Sequence, residues 1–229
     1  SVHPRYLASC GRIARRVVSI GIPAGINSAL MSISTVLLNN ALVPYGDTAV
    51  AAMGIVTKVY MFIVFVHMGI TNGIQPLLGY CHGAGAAKRF GSILRFSGAL
   101  TVVCGTLLSG FYIAFAPGVV RVFIDDAQVI EYGAAMLVAT SLAGPVLGLL
   151  FLTINSLQAM DRPVPATLLS LFRQGVFFIP LLFVLGRLFG LNGINFTQTT
   201  ADYLAIVIAL FLLVRALRQQ RAVLAAQEA

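Results

Sequence analysis

The sequence predicts an all-α polytopic membrane protein built as a six-transmembrane-helix bundle. Composition is the first observation behind this: 59% of the 229 residues are hydrophobic and 10% are charged, with a mean hydropathy of +0.93. A soluble domain carries roughly a quarter charged residues, so a water-solvated core does not account for this chain. The second observation is a set of six apolar runs, each long enough to cross a hydrocarbon layer of about 30 Å as a helix. The third is the placement of the basic residues, which sit at the ends of these runs.

The predicted spans are roughly 16–43, 48–76, 93–116, 129–157, 163–186 and 196–215. Short polar links separate them: Pro44–Asp47, Cys81–Arg89, Pro117–Gln128, Met160–Arg162 and Gly190–Asn195. Asp47 and Asp161 are placed to cap the helices that follow, the latter just before Pro163. None of the links is long enough to part soluble domains, so residues 1–229 read as one unit. In the second span Thr71-Asn72-Gly73 and Gln75-Pro76 are expected to interrupt the helix, because such residues are tolerated at membrane depth only against protein or a wet cavity. The segment Phe90–Phe96 either lies along the membrane surface or, the preferred reading, begins the third span. Pro23 and Pro145 are expected to bend the first and fourth spans.

Arg5, Arg12, Arg15, Arg16, Lys88, Arg89, Arg95, Arg162, Arg215, Arg218 and Arg221 fall on one side of a six-span arrangement. Arg121 and Arg187 fall on the other, with Asp47, Asp125, Asp126 and Glu131. The positive-inside rule then places both termini in the cytoplasm. Tyr45, Tyr80, Tyr112 and Tyr132 fall near the expected interfaces. The net charge of +8 is spread over helix ends without interleaved aromatics, which argues against a nucleic-acid partner. Cys10, Cys81 and Cys104 share no CxxC spacing, and His3, His67 and His82 lack ligand spacing, so no metal or other cofactor is expected. With no Ser/His/Asp set, paired carboxylate or P-loop, the chain does not read as an enzyme or as directly driven by ATP. It begins at Ser1 and is expected to be part of something longer.

Polar stripes mark the inner faces. In the first span Gly21, Gly25, Ser28, Ser32, Thr35 and Asn39 follow alternating steps of four and three, which places them on one helical face. Tight helix–helix packing and a water-filled path both fit such a stripe. The second span carries Lys58, Met61, Phe65, Met68, Asn72 and Gln75 on one face, a soft apolar surface ending in amides. Lys58 either faces the bundle interior or snorkels outward. The fourth has Ser141, Gly144, Gly148, Phe151, Asn155 and Gln158. Arg173 lies up to about 15 Å along the fifth helix by helical rise, where it meets an anion, a cavity or the interface. Asp202 is the acidic residue of the last span. Interrupted spans with polar inner faces and no catalytic set point to a transporter driven by an ion gradient.

Four segments together resemble a known family: Gly21-Ile-Pro23, YGDTAVAAMGIVTKVYMF at 45–62, GITNGIQPLLGYCHGAGAAKRF at 69–90, and SLQAMDRPVPATLLSLFRQGVFFIPLLFVL at 156–185. GLNGINFTQTTADYLA at 190–205 also fits. In this order they resemble the C-terminal half of a MATE (multidrug and toxic compound extrusion) transporter, closer to its MepA-like and DinF-like branch than to the sodium-coupled NorM type. The resemblance implies one lobe of a twelve-helix protein in the bacterial plasma membrane, with a cavity between two six-helix lobes and alternating access coupled to protons or sodium. The missing N-terminal lobe, the bilayer and small organic cations are the implied partners. Sodium-coupled relatives carry acidic residues in the first and fourth spans of this lobe. Here Ser28, Ser32, Asn39, Gly148 and Asn155 are found there, leaving Asp202, Glu131 or the other half to carry the coupling ion. Thr199 also stands where the last span often has proline.

The function expected is therefore secondary active efflux of organic, cationic, amphipathic compounds. Met61, Phe65, Met68, Asn72, Gln75, Asn155, Gln158 and Arg173 are the expected substrate contacts, with Asp202 as the ion-coupling residue. The alternatives are a lipid-linked glycan flippase of the same superfamily and a non-transporting membrane subunit.

Overall fold

The computed structural model describes residues 11–228, with side chains described for residues 25–219. Gly21, Pro23, the arginines before Arg89, His3, Cys10 and Arg221, all named above, have side chains outside that range. Among the described residues all regular structure is helical: α1 (Gly11–Leu42), α2 (Asp47–Gly83), α3 (Ala87–Ala114), α4 (Ala116–Arg121), α5 (Ala127–Ser141), α6 (Gly144–Ala159), α7 (Pro163–Leu171) and α8 (Ile179–Glu228). A short 3₁₀ turn, Val43–Tyr45, follows α1, and a π-helical turn, Phe172–Phe178, joins α7 to α8.

Glycine decides two of the chain reversals. Gly46, at φ +93° and ψ +165°, opens α2 in a conformation that a Cβ disfavours. Gly190, at φ +58° and ψ −136°, breaks α8 into two arms. That break is a hairpin. Arg173 and Asp202 touch although 29 positions apart, a separation that spans about 43 Å in a straight helix. A Cβ on Gly193 would fall 1.9 Å from the Leu185 carbonyl oxygen, so the two arms meet backbone to backbone.

The helix ends differ from the expected ones for local reasons. Asp47 lies inside the first turn of α2 rather than capping it, and Asp161 sits at φ +58° with Arg162 at the cap position. The side-chain cap is Asp126, whose Oδ1 accepts from the backbone N–H groups of Gln128 and Val129, each at 3.0 Å. α2 is not interrupted at Thr71–Pro76 but continues to Gly83 with Pro76 inside it. Its polar groups are satisfied by partners, so no break is needed: Thr71 Oγ1 donates to the His67 carbonyl at 2.9 Å, and Asn72 and Gln75 pair across to α6. Phe90–Phe96 lies within α3, with Phe90 buried. The fourth apolar run is bent by 46° between α5 and α6. Pro145, in the first turn of α6, has no N–H to continue the preceding helix. Tyr112, near the end of α3, is buried and donates to the Val59 carbonyl at 3.4 Å.

Packing is closest along α3, α6 and α2. The Cβ of a residue replacing Gly105 would lie 2.6 Å from the Gly144 carbonyl oxygen. One replacing Gly148 would lie 2.3 Å from His67 Cδ2 and 2.7 Å from Thr101 Cβ. Close backbone approach of this kind holds helices together where lipid tails remove the hydrophobic drive. The stripe predicted for the fourth span thus begins as a packing seam. At one end of the bundle Leu78, Cys81, Phe90, Leu157, Met160, Ala166 and Ala216 form a cluster, gathering Lys88, Arg89, Arg162 and Arg215 at that end. The acidic links before α2 and α5 lie at the opposite end.

These contacts set opposite expectations for two glycines. Gly148→Val overpacks the seam and is expected to lower stability by roughly 1–3 kcal/mol. Gly91→Ala, with nothing within 4 Å of the added carbon, is expected to raise it by about 0.5–1 kcal/mol. Thermal unfolding in detergent checks both; equal melting temperatures for the two variants would contradict the seam.

Candidate functional site

A cavity of about 390 Å³ opens between α1, α2, the α5–α6 bend and the π turn. α1 contributes Asn27, Met31, Ser34, Thr35 and Asn39; α2 contributes Tyr60, Met61 and Met68. Arg173, Gln174 and Phe178 close it from the π turn, Phe151 from α6 and Gln198 from the second arm of α8. The wall is therefore apolar, softened by methionines, with amides, hydroxyls and one guanidinium.

That guanidinium is held from behind. Arg173 Nε lies 2.6 Å from Asp202 Oδ1, and Asp202 is fully buried. Gln198 Nε2 donates to the same Oδ1 at 3.1 Å, and Tyr60 Oη donates to Oδ2 at 3.3 Å. Arg173, Tyr60 and Gln198 line the cavity, whereas Asp202 stands behind them. The Arg173 Cζ also lies 5.9 Å from the Phe151 ring centroid, within range of a cation–π contact.

The π turn presents Arg173 in this way. A wide turn inserts one residue relative to α-helical register and rotates the side chains that follow. It ends just before Pro180, whose missing N–H and ring disfavour an α turn there. Ser34 Oγ donates to the Gln174 carbonyl at 3.2 Å and ties α1 to the turn.

The structure brings together only part of the expected set. Met61, Met68 and Arg173 line the cavity. Phe65 is 64% exposed and outside the lining. Asn155 Nδ2 donates to Asn72 Oδ1 at 3.1 Å and Gln75 Nε2 donates to Gln158 Oε1 at 3.1 Å. These four residues form two stacked amide pairs between α2 and α6, away from the cavity wall. Lys58 is exposed on α2. On α1, Ser28, Ser32, Thr35 and Asn39 are exposed rather than packed against another described helix.

Tyr60, Ser34 and Asn27 were not singled out by sequence. Gln198 had a readable signal, since it lies four residues before Asp202 on the same helical face. Tyr60 had none, because it reaches Asp202 across 142 positions.

A model of the MatE family matches residues 23–184. The chain belongs to the MatE family. Among curated proteins, this MatE chain is 30% identical over 213 residues to the multidrug export protein MepA of Staphylococcus saprophyticus, a match covering 90% of the chain and 46% of that protein. The Staphylococcus haemolyticus protein of the same name is 28% identical, with 86% and 43% covered. Among solved structures, the Vibrio cholerae MATE transporter VcmN in its bent form superposes with a TM-score of 0.82 at 20% identity, covering 90% of this chain and 47% of that one. A MOP superfamily transporter from Pyrococcus furiosus superposes at 0.82 with 16% identity, covering 92% and 48%. The MatE chain spans about half the length of the curated relatives it matches.

A buried pair that loses one member leaves an uncompensated charge, a cost of about 3–5 kcal/mol. Asp202→Asn and Arg173→Gln are each expected to destabilise this MatE chain by that order. The double variant is expected to recover much of the loss. A thermal-unfolding double-mutant cycle measures the coupling, and additive single effects would deny the pair its structural weight.

Proposed function

We propose that this chain is one six-helix lobe of a secondary active exporter of organic, cationic, amphipathic compounds. The observation carrying the reading is the Arg173–Asp202 pair, placed so that the cavity touches the arginine and not the aspartate. With Asp202 ionised the pair is neutral, and a cation enters the methionine- and aromatic-lined cavity without facing a net positive charge. A proton or sodium ion taken up at Asp202 cancels the carboxylate charge and leaves the Arg173 charge at the wall. Two like charges about 4 Å apart repel by about 4 kcal/mol at an effective dielectric near 20, enough to expel the guest. Uptake of the driving ion and release of the substrate are thus linked through one side chain.

In this reading, the exposed stripes of α1 and α2, including Lys58 and Phe65, face a second six-helix lobe across the transport path. The basic end of the bundle lies in the cytoplasm of a bacterial cell, with the chain in the plasma membrane. A lipid-linked glycan flippase needs cations at the cavity to meet pyrophosphate. Here Lys58 is outside the lining and Arg173 is neutralised by Asp202, which weighs against that alternative. The amide pairs and the seam around Gly148 supply rigid backing, not substrate contact.

The test is export of a fluorescent organic cation from vesicles containing the full-length protein, under separate proton and sodium gradients. Counted per folded molecule, since the variant is also destabilised, Asp202→Asn is expected to lose gradient-driven export by at least about 100-fold, the scale of a lost proton-transfer group. Undiminished export by that variant under the effective gradient would remove Asp202 from the coupling step.

A further inference from the structure

A second recess lies on the outer surface of the bundle, away from the cavity described above. α3, α6 and the second arm of α8 diverge there and leave about 480 Å³ between them. Leu94, Ala99 and Val103 line it from α3, Leu149 and Leu152 from α6, and Leu213 from α8. Its depth comes from small residues. Gly98 also lines it, and a carbon added there would sit in ordinary contact with Leu149 and Leu152, at 3.6 and 3.7 Å, so these leucines form the floor.

Apart from the Thr153 hydroxyl the lining side chains are apolar, and one charged residue joins them, Arg95. Arg95 is exposed, and its guanidinium makes one protein hydrogen bond, from Nε to the Gly91 carbonyl at 3.3 Å. It has no ion pair among the described residues, whose ion pairs are Arg121–Asp125 and Arg173–Asp202. Neither α3 nor α6 contains an acidic residue. Its terminal nitrogens are therefore left for an anion, and a guanidinium fork matches phosphate oxygens two at a time. Lys88, seven residues earlier on the same helical face, adds positive potential at the same end.

We propose that this recess binds an anionic phospholipid, its phosphate on Arg95 and one acyl chain laid over Ala99 and Val103 against Leu149 and Leu152. The stretch from Arg95 to Val103 rises about 12 Å along α3, which places the polar contact at the basic end and the apolar contacts toward the bundle middle. That order matches the order of groups in a lipid. Val103 is 54% exposed and Leu107, one turn further, is 69% exposed, so the apolar track continues past the recess. The positive charge of Arg95, with Lys88 on the same face, favours a headgroup with net negative charge over a zwitterionic one. This site lies outside the transport reading and stands or falls separately from it.

The experiment places the full-length protein in nanodiscs of mixed phosphatidylglycerol and phosphatidylcholine and counts retained lipid by native mass spectrometry. Arg95→Gln is expected to lower retained phosphatidylglycerol roughly tenfold, the scale of one charge-assisted contact. Ala99→Trp, which fills the recess from an exposed position, is expected to do the same. Arg89→Gln removes equal charge from the same end but lies outside the recess, about a third of a turn round α3 from Arg95, and is expected to leave retention within about twofold. A loss in Arg89→Gln as large as in Arg95→Gln would reduce the effect to diffuse attraction and overturn the proposal. So would full retention in an Ala99→Trp protein whose melting temperature is unchanged. Should Ala99→Trp fail to fold, the comparison of Arg95→Gln with Arg89→Gln decides alone.

Discussion

A carboxylate with no solvent exposure, deep in an apolar bundle, must be paired or the fold does not tolerate it. Asp202 meets that demand with three partners drawn from three parts of the chain: Arg173 from the π turn, Gln198 from its own helix and Tyr60 from α2. Each partner implies a backbone feature. The hairpin at Gly190 returns the last helix to the level of Arg173, and the wide turn before Pro180 sets the arginine's direction. The length of α2 carries Tyr60 to the same depth. Because all three partners also line the cavity, the charge state of one hidden group is felt at the wall.

Around this pair the bundle is held by two kinds of contact, and they occupy different places. Glycines at 105, 144 and 148 let α3, α6 and α2 approach so closely that no side chain fits between them. Two amide pairs continue the α2–α6 contact with hydrogen bonds. On the other side, α1 lines the cavity with Ser34, Thr35 and Asn39 and is tied to the π turn through the buried Ser34. Rigid backing and a more open front are thus separated across the bundle.

The helical class was legible because apolar run length reports a bilayer directly, whatever the packing. Links at 44–47, 81–89 and 160–162 were legible too, since Pro, Gly and charge concentrate there. Pairing was not. Asn72, Gln75, Asn155 and Gln158 read as free polar groups on two inner faces, but in space they satisfy one another. Met61 and Phe65 share a stripe, yet only Met61 turns into the cavity. A stripe defines a face to within a third of a turn, and the neighbouring helix decides which edge of that face is covered.

The sequence by itself determined the helical class, the solvent, and which segments are apolar rods, with Arg173 and Asp202 inside two of them. These follow from hydropathy and from the fixed rise of a helix, both local properties. Tertiary structure alone decided that the two ions meet, that Tyr60 and Gln198 join them, and that the amides pair away from the cavity. Such choices depend on the rotation and crossing of helices far apart in the chain, and steric fit at particular glycines sets them rather than any periodicity.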